Sequence, residues 1–249
     1  QPARFALGAD TVVRVGRGLQ DPHATKKIVY RAKLPHADPA RMFVSGLSQR
    51  VKSIDPHTAE VTVLRVAPNE PADLPQAVEP PTEADKSPNS LVQADDEKVV
   101  ALARETTPEE TDPWKLAVAL ESRVKQLITA KNFSQAFASA AEVARQREGD
   151  CTEHAVLLAA LCRARGIPAR VAIGLVYYPQ ARGYAYHMWN EVWIEDRWVP
   201  LDATLARGGI GAAHLKLAES NLEGAGPYSA FLPVFQVLGQ LELEIVEVE

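Results

Sequence analysis

The chain has 249 residues, of which 46% are hydrophobic, and a formal net charge of -5. This composition is ordinary for a globular protein, and no stretch approaches the roughly 20 apolar residues that a membrane-spanning helix needs. The acidic balance gives no reason to expect the broad positive field that attracts phosphate backbones. We therefore predict no membrane span and no nucleic acid partner.

The N-terminal residue is Gln1 rather than Met. A start of this kind indicates that processing or design set the N-terminus and removed any targeting peptide. On this ground a periplasmic or other extracytoplasmic location is slightly favoured over the cytoplasm. The composition does not determine the oligomeric state.

Residues 1–66 are predicted to form a small β-rich unit. In "KKIVYRAKL" the apolar side chains alternate with polar ones, and "QRVKSI" and "AEVTVLRV" flank a turn-like segment from Asp55 to Thr58. This pattern predicts an antiparallel hairpin. The unit is too short to be very stable alone, so we expect it to pack on the rest of the chain.

Residues 67–90 are predicted to form a proline-rich linker. The stretch "APNEPADLPQAVEPPTEADKSP" carries six prolines among acidic and small residues, and proline cannot supply ladder hydrogen bonds. The alternative is an ordered, extended strap that lies across both neighbouring units, because proline-rich segments can dock without regular secondary structure.

Three amphipathic helices are predicted at the start of the third region, which spans residues 91–249. "ADDEKVVALARE" has acidic residues in its first turn, and "TDPWKLAVALESRVKQLI" begins with Thr111 or Asp112 as its cap and Pro113 at the first helical position. "NFSQAFASAAEVARQR" is predicted as the third helix, with Ser134 as a possible cap.

A fourth helix is predicted to be buried on all sides. It follows "EGD", is apolar at every position from Ala155 to Leu161, and ends near Gly166. The segments "ARVAIGLVYY", "YHMWNEVWIE" and "RWVPLDAT" follow it with strand-like patterns, and the closing "QLELEIVEVE" alternates as well. A buried helix against a sheet of at least three strands predicts an α+β fold.

The two cysteines lie on this fourth helix and are predicted to be free thiols. Eleven helical steps of about 1.5 Å place their Cα atoms roughly 16 Å apart, whereas a disulfide needs less than about 7 Å. Cys162 lies in apolar surroundings and is predicted to be inert packing. Cys151 occupies the first turn, where unpaired N–H groups and the positive end of the helix dipole favour a nucleophilic thiolate.

A thiolate that transfers acyl groups needs an imidazole beside it and a third group that orients the imidazole. His187 begins the pattern "HMWNEVWIE" and Asp202 ends "RWVPLDAT", so neighbouring antiparallel strands can bring the two together. His154, three residues after Cys151, is the alternative base. A metal site made of Cys151, His154 and Asp150 is a weaker alternative, because no paired ligand spacing accompanies it.

The stretch "GDCTEHAVLLAALCRARGIPARVAIGL", followed by "HMWNEVWIEDRWVPLDAT", resembles the core of the transglutaminase-like superfamily from about residue 95 to about 205. The resemblance implies a papain-like fold with a Cys-His-Asp triad, and the matching positions are Cys151, His187 and Asp202. The sequence looks most like the bacterial branch, which often carries an N-terminal β unit ahead of the core. Residues 1–66 fit such a unit.

The function predicted from these residues is thiol-dependent acyl transfer on peptide or isopeptide amides, with a protein or peptide as substrate. The alternative is a non-catalytic protein-binding or assembly module on the same scaffold. The backbone N–H of Cys151 is the first expected oxyanion donor, Gln146 is a candidate for the second, and Trp189 is a candidate wall of the site. No cofactor or metal is expected, and no local run matches a calcium-binding loop.

Overall fold

The structure is a computed structural model, and it describes residues 12–68, 79–130, 137–224 and 227–249. These residues form two antiparallel sheets and a group of helices, which confirms the predicted α+β fold. Ser134, predicted to cap the third helix, and the first eleven residues of the predicted β unit lie outside the described residues.

The larger sheet is antiparallel and has five strands. Its central strand β6 pairs with β5 along its length, with β1 near its start and with β7 near its end, and β8 pairs with the far side of β5. The strands are β1 (Val13–Arg14), β5 (Ala169–Tyr178), β6 (Gly183–Ile194), β7 (Arg197–Leu201) and β8 (His214–Ser220). The three strands predicted here are confirmed as β5, β6 and β7.

The smaller sheet has four strands in the order β3, β4, β2, β9. Its strands are β2 (Lys27–Lys33), β3 (Gln49–Asp55), β4 (Thr58–Leu64) and β9 (Glu242–Val248). The predicted hairpin is confirmed as β3 and β4, and the predicted closing strand as β9. Because β9 pairs with β2, this sheet takes strands from both sides of the predicted linker. The division into residues 1–66, 67–90 and 91–249 stays a prediction.

Four of the five α-helices in the described residues begin at short polar side chains that accept hydrogen bonds from the first-turn N–H groups. Asp96 caps α1 (Glu97–Thr106), and Asp112, not Thr111, caps α2 (Pro113–Leu127) with Oδ1 at 2.9 Å from the nitrogen of Trp114. The other helices are α3 (Ala140–Gln146), α4 (Cys151–Ala164) and α5 (Leu232–Val237). None of the helices in the described residues is long and apolar enough to cross a bilayer.

The third predicted helix is much shorter than its sequence pattern indicates. Helix α3 begins at Ala140, and its cap is Ser139, which forms a reciprocal capping box with Glu142. Phe137 has a φ of 64°, in the left-handed region, so the helix cannot include it. The alanine-rich pattern from 132 to 147 carried no stop signal at this position, and the backbone geometry at Phe137 was not readable from it.

Helix α4 lies at the centre of the structure, in contact with β5 and β6 on one side and with α1, α2 and α3 on the other. Every residue from Ala155 to Cys162 is buried, as predicted. The side chain of Asn190 on β6 donates a hydrogen bond of 2.8 Å to the carbonyl of Ala155. This contact fixes the first turns of α4 against the strand that carries His187.

The described part of the proline-rich segment lies on the core. The carbonyl of Glu79 accepts a hydrogen bond of 3.0 Å from the indole of Trp198, and the carbonyl of Ser87 accepts one of 2.9 Å from Arg163. Asp85 is buried and closes a short turn that begins at Thr82. Backbone carbonyls thus hold this segment without strand pairing.

The two sheets meet through buried polar contacts. The hydroxyls of Tyr30 on β2 and Tyr184 on β6 lie 2.7 Å apart, and Tyr30 also donates to the carbonyl of Ala212 at 3.1 Å. The side-chain amide of Gln49 donates to the carbonyl of Lys216 and accepts from its N–H, so it mimics a strand partner for β8. The small sheet therefore packs against the large sheet and forms hydrogen bonds with its edge strand β8.

Gly174 tests the packing of the large sheet. It pairs with His187, and a Cβ at this position would lie 1.9 Å from the carbonyl oxygen of Leu215 and 3.1 Å from the indole of Trp189. We expect Gly174→Ala to destabilise the protein by at least about 1–3 kcal/mol, because the clash is with backbone that cannot rotate away. Urea unfolding of the two proteins measures the change.

The matched control is Gly16→Ala, since Gly16 is exposed and a Cβ there meets nothing within 4 Å. We expect that change to alter stability by less than about 0.5 kcal/mol. Equal effects of the two substitutions would contradict the close approach of β5 and β8.

Candidate active site

Cys151 is the first residue of α4, and it is half-buried. Asp150 caps the helix: its side chain accepts from the N–H of Thr152 at 2.8 Å, and its own N–H donates to Glu153 at 2.9 Å. The predicted helix start is therefore correct. At this position the thiol lies among N–H groups that have no partner within the helix.

His187 lies on β6, near both of the other predicted site residues. Its Nε2 is 2.7 Å from Oδ2 of Asp202, which directly follows β7. The side chain of Cys151 is near enough to the imidazole to raise the pKa of His187. The structure thus brings together all three residues predicted from the sequence, and their catalytic roles stay a prediction.

The carboxylate of Asp202 is buried and surrounded by donors. Oδ1 accepts from the backbone N–H of Thr204 at 2.9 Å and from its hydroxyl at 2.6 Å, while Oδ2 faces His187 and, at 3.1 Å, Nε2 of His214. Burial alone would raise the pKa of Asp202. The charge of His187 and the hydrogen bonds from both imidazoles instead hold that pKa well below its usual range, so the group is ionised.

The imidazole of His187 is held in its protonated form. Burial opposes the charge, but the charge and hydrogen bond of Asp202, followed by the contact with Cys151, raise the pKa of His187 to about 10. An imidazolium between a carboxylate and a cysteine is the arrangement that stabilises a thiolate at neutral pH. The site can therefore present a nucleophile together with a proton donor.

The other two predicted site residues occupy different surroundings. Trp189 is buried, and its indole lies nearly parallel to the His187 ring, at 16° with 6.3 Å between centroids. Gln146 is exposed at the C-terminal end of α3. The roles of Trp189 as a wall and Gln146 as an oxyanion donor stay predictions.

The alternative base, His154, is engaged elsewhere. Its Nδ1 lies 2.6 Å from the carbonyl of Asp150, one turn back in the same helix. Burial lowers the pKa of His154, so the ring is neutral at physiological pH. These contacts describe a structural histidine close to the site, whereas His187 has the carboxylate partner that a general base needs.

Sequence reasoning missed two buried residues that contact Asp202. His214 begins β8, and the alternation in "HLKLA" could have indicated that strand but not its position beside the site. Glu121, on the buried face of α2, accepts from the N–H groups of Asp202 and Gly208 at 3.0 and 2.9 Å. A glutamate within a helix carries no sequence signal for such a contact.

The second thiol is buried, and three side chains of the site could ligate a metal ion. Cys162 is fully buried, which raises the pKa of its thiol to about 12, and both cysteines are free as predicted. His187, Asp202 and His214 could supply three metal ligands within 4.8 Å of one another. Their separations of 2.7 and 3.1 Å are those of hydrogen bonds, so an ion would have to replace those bonds. The expectation that no metal is required stays a prediction.

A polar cavity of about 260 Å³ lies further along β6, where Glu191 accepts from both Arg170 and Lys216. The same two cations also bind Glu219 at 2.7 and 2.8 Å, and the Arg170 guanidinium lies 4.2 Å above the Trp198 ring. The buried charges of this network are therefore mutually paired. It joins β5, β6 and β8 at the end of the sheet away from His187.

The core is a buried helix that begins with a cysteine and packs on an antiparallel sheet that carries a histidine paired with an aspartate. A sequence profile described as "Transglutaminase-like superfamily" matches residues 100–203, which contain all three residues. This region of the chain is therefore similar to the transglutaminase-like superfamily. No curated protein matches it at a significant level.

Solved structures share this fold at low sequence identity. A candidate cysteine protease from Cytophaga hutchinsonii is 16% identical with a TM-score of 0.55, over 90% of this chain and 89% of its own. The periplasmic domain of TgpA from Pseudomonas aeruginosa, bound to ethylmercury, is 16% identical with a TM-score of 0.44, over 74% of this chain and 91% of its own. The first likeness supports the fold, and its sequence is too distant to transfer a substrate.

The ionisation of Glu121 makes the stability of the folded protein depend on pH. Burial raises its pKa to about 7 from an ordinary value of 4.5, although two N–H donors oppose the shift. Because the pKa is higher in the folded protein, the stabilisation from this group is complete below about pH 4.5 and is lost as the pH rises through about 7. Glu121→Gln removes this titration.

We expect Glu121→Gln to be less stable than the parent at pH 5, because an amide can accept only one of the two N–H bonds well. The difference should narrow by an amount on the order of 1–3 kcal/mol between pH 5 and pH 8. Urea unfolding at four pH values measures it. The pKa of Glu153 is also raised to about 7, by burial and the charge of Asp150. Because Glu153 is present in both proteins, its contribution cancels in the difference between their stabilities. A constant difference across this range would contradict the assignment.

Proposed function

We propose that the protein is a thiol-dependent acyl-transfer enzyme that acts on peptide or isopeptide amides. The observation that carries this proposal is the buried His187 imidazole, whose Nε2 lies 2.7 Å from Oδ2 of Asp202 and whose pKa is raised by Asp202 and by Cys151 at the start of α4. A half-buried thiol in contact with an oriented imidazole is the arrangement required for nucleophilic catalysis. The match of residues 100–203 to the profile of the transglutaminase-like superfamily supports the same chemistry.

The proposed reaction begins with attack of the Cys151 thiolate on the amide carbonyl carbon. The carbonyl oxygen becomes negatively charged, and we assign the stabilisation of that charge to the backbone N–H of Cys151, which has no acceptor within the helix. The His187 imidazolium then gives its proton to the leaving amine, so that the C–N bond breaks and a thioester forms. Asp202 orients the ring throughout.

The thioester is released when a second nucleophile attacks it. His187, now neutral, accepts a proton from that nucleophile, and the Cys151 thiolate leaves. Water gives hydrolysis, and an amine gives a new amide, which is cross-linking. We favour hydrolysis, with a protein or peptide as substrate, and an extracytoplasmic location is the compartment that we propose for it.

Substitution of the three residues tests the proposal directly. We expect Cys151→Ala to abolish turnover of peptide amides and His187→Ala to lower it about 10²–10⁴-fold, because the latter removes the general acid and base. His154→Ala is the matched control, since it removes a neighbouring imidazole that is bound to the carbonyl of Asp150. Release of peptide fragments, followed by mass spectrometry, measures each rate.

Normal turnover after Cys151→Ala would overturn the enzyme proposal and favour a protein-binding module on the same scaffold. A larger loss for His154→Ala than for His187→Ala would instead exchange the roles of the two imidazoles. Either result would be visible in the same assay.

Alkylation of Cys151 tests the ion pair without knowledge of the substrate. We expect iodoacetamide to modify Cys151 faster in the parent protein than in His187→Ala at about pH 7, because a protonated imidazole beside a cysteine favours the reactive thiolate. Cys162 is an internal reference in the same molecule, since burial raises its pKa to about 12. Equal alkylation rates of Cys151 in the parent protein and His187→Ala would contradict the pairing.

A further inference from the structure

One oxygen of Asp202 is shared by two imidazoles. Nε2 of His187 lies 2.7 Å from Oδ2, and Nε2 of His214, on β8, lies 3.1 Å from the same atom. Both distances are those of hydrogen bonds, and both rings are buried. Because a carboxylate oxygen only accepts, each imidazole donates an N–H to it.

The surroundings of His214 fix its protonation. The ring is buried, which lowers its pKa, although the bond and charge of Asp202 oppose that effect. The backbone of Gly211 raises the pKa of the ring to a smaller extent. Nδ1 makes no hydrogen bond within the described residues. His214 is therefore a neutral ring whose proton lies on Nε2 and points at Asp202.

The groups that face this pair come from several elements. Trp189 on β6 packs edge to face with His214 at 5.1 Å, and the ring of His23, from the segment before β2, lies 6.0 Å away. Burial and the neighbouring His214 lower the pKa of His23 to about 4, so it is neutral too. Asp202 and His187 are thus the charges that face His214 directly, and His154 is a neutral neighbour of His187.

The orientation of Asp202 does not depend on His214. Thr204 already holds the other oxygen, Oδ1, with its backbone N–H and its hydroxyl, and Glu121 accepts the backbone N–H of Asp202. The bond from His214 falls instead on the oxygen that binds His187. The bond from His214 therefore reduces the negative charge that Oδ2 presents to the His187 imidazolium.

We propose that His214 is a positioning residue that shares Oδ2 of Asp202 with His187 and so limits how tightly the carboxylate holds the His187 proton. The consequence for the reaction rests on the proposed function. His187 has to release its proton to the leaving amine, and a carboxylate whose charge were undivided would oppose that release. His214 therefore favours the acid step without contact with the substrate.

The test measures the His187 proton directly by NMR of ¹⁵N-labelled histidine rings in the full chain. Cys151→Ala is the background, because it removes the thiol, which also raises the pKa of His187. His214→Phe fills the same space without a donor, and His214→Gln places an amide donor near the position of Nε2. We expect the His187 titration to move upward by about 0.5–1 pH unit in the Phe variant and by less than about 0.2 in the Gln variant.

An unchanged or lowered His187 titration in the Phe variant, or equal shifts in the Phe and Gln variants, would overturn the proposal. If the Phe variant does not fold, His214→Asn replaces it, because its shorter amide ends near Nδ1 and leaves the Nε2 position without a donor. Since the titration requires no turnover, a failure of the proposed enzymatic function would appear separately, as an inactive parent protein with normal imidazole titrations.

Discussion

The burial of α4 is the constraint on which the rest of the structure depends. A helix that is apolar on every side can be satisfied only if strands cover one side and other helices cover the remainder, and β5, β6, α1, α2 and α3 do so. The N-terminal end of the helix is less enclosed, since Cys151 there is only half-buried. The packing that excludes water from the helix thereby places one thiol, at the N-terminal end of the helix dipole, beside the strand that carries His187.

The electrostatics of the site follow from burial of charge. An ionised Asp202 in the interior would be strongly disfavoured without donors, and the structure supplies them from Thr204 and from two imidazoles. Glu121, which lies behind Asp202, has only two backbone donors, and its pKa is raised accordingly. The pKa values of the two carboxyl groups are therefore shifted in opposite directions because their hydrogen-bond partners differ, although both groups are buried.

The sequence predicted most of the site, because its residues coincide with local signals. Cys151 follows a capping aspartate, His187 lies on a strand whose alternation is clear, and Asp202 directly follows the neighbouring strand. His214 and Glu121 could not be predicted, since their contacts depend on how β8 and α2 pack around Asp202. The pairing of β9 with β2 was equally out of reach, because alternation identifies a strand but not its partner. The predicted length of the third helix was wrong for a local reason, because the backbone at Phe137 is left-handed.

The pairing of β9 with β2 has a consequence for how the molecule forms during synthesis. The backbone of Glu249 bonds to that of Lys26 and Lys27, so the small sheet joins residues more than two hundred positions apart. Until residues 242–249 leave the ribosome, β2 has one unpaired edge, and such edges invite association with other chains. Contacts of this sequence separation also slow folding, because a long loop has to close before they form. The small sheet therefore cannot be completed before residues 242–249 have been synthesised, although β2, β3 and β4 all precede residue 65.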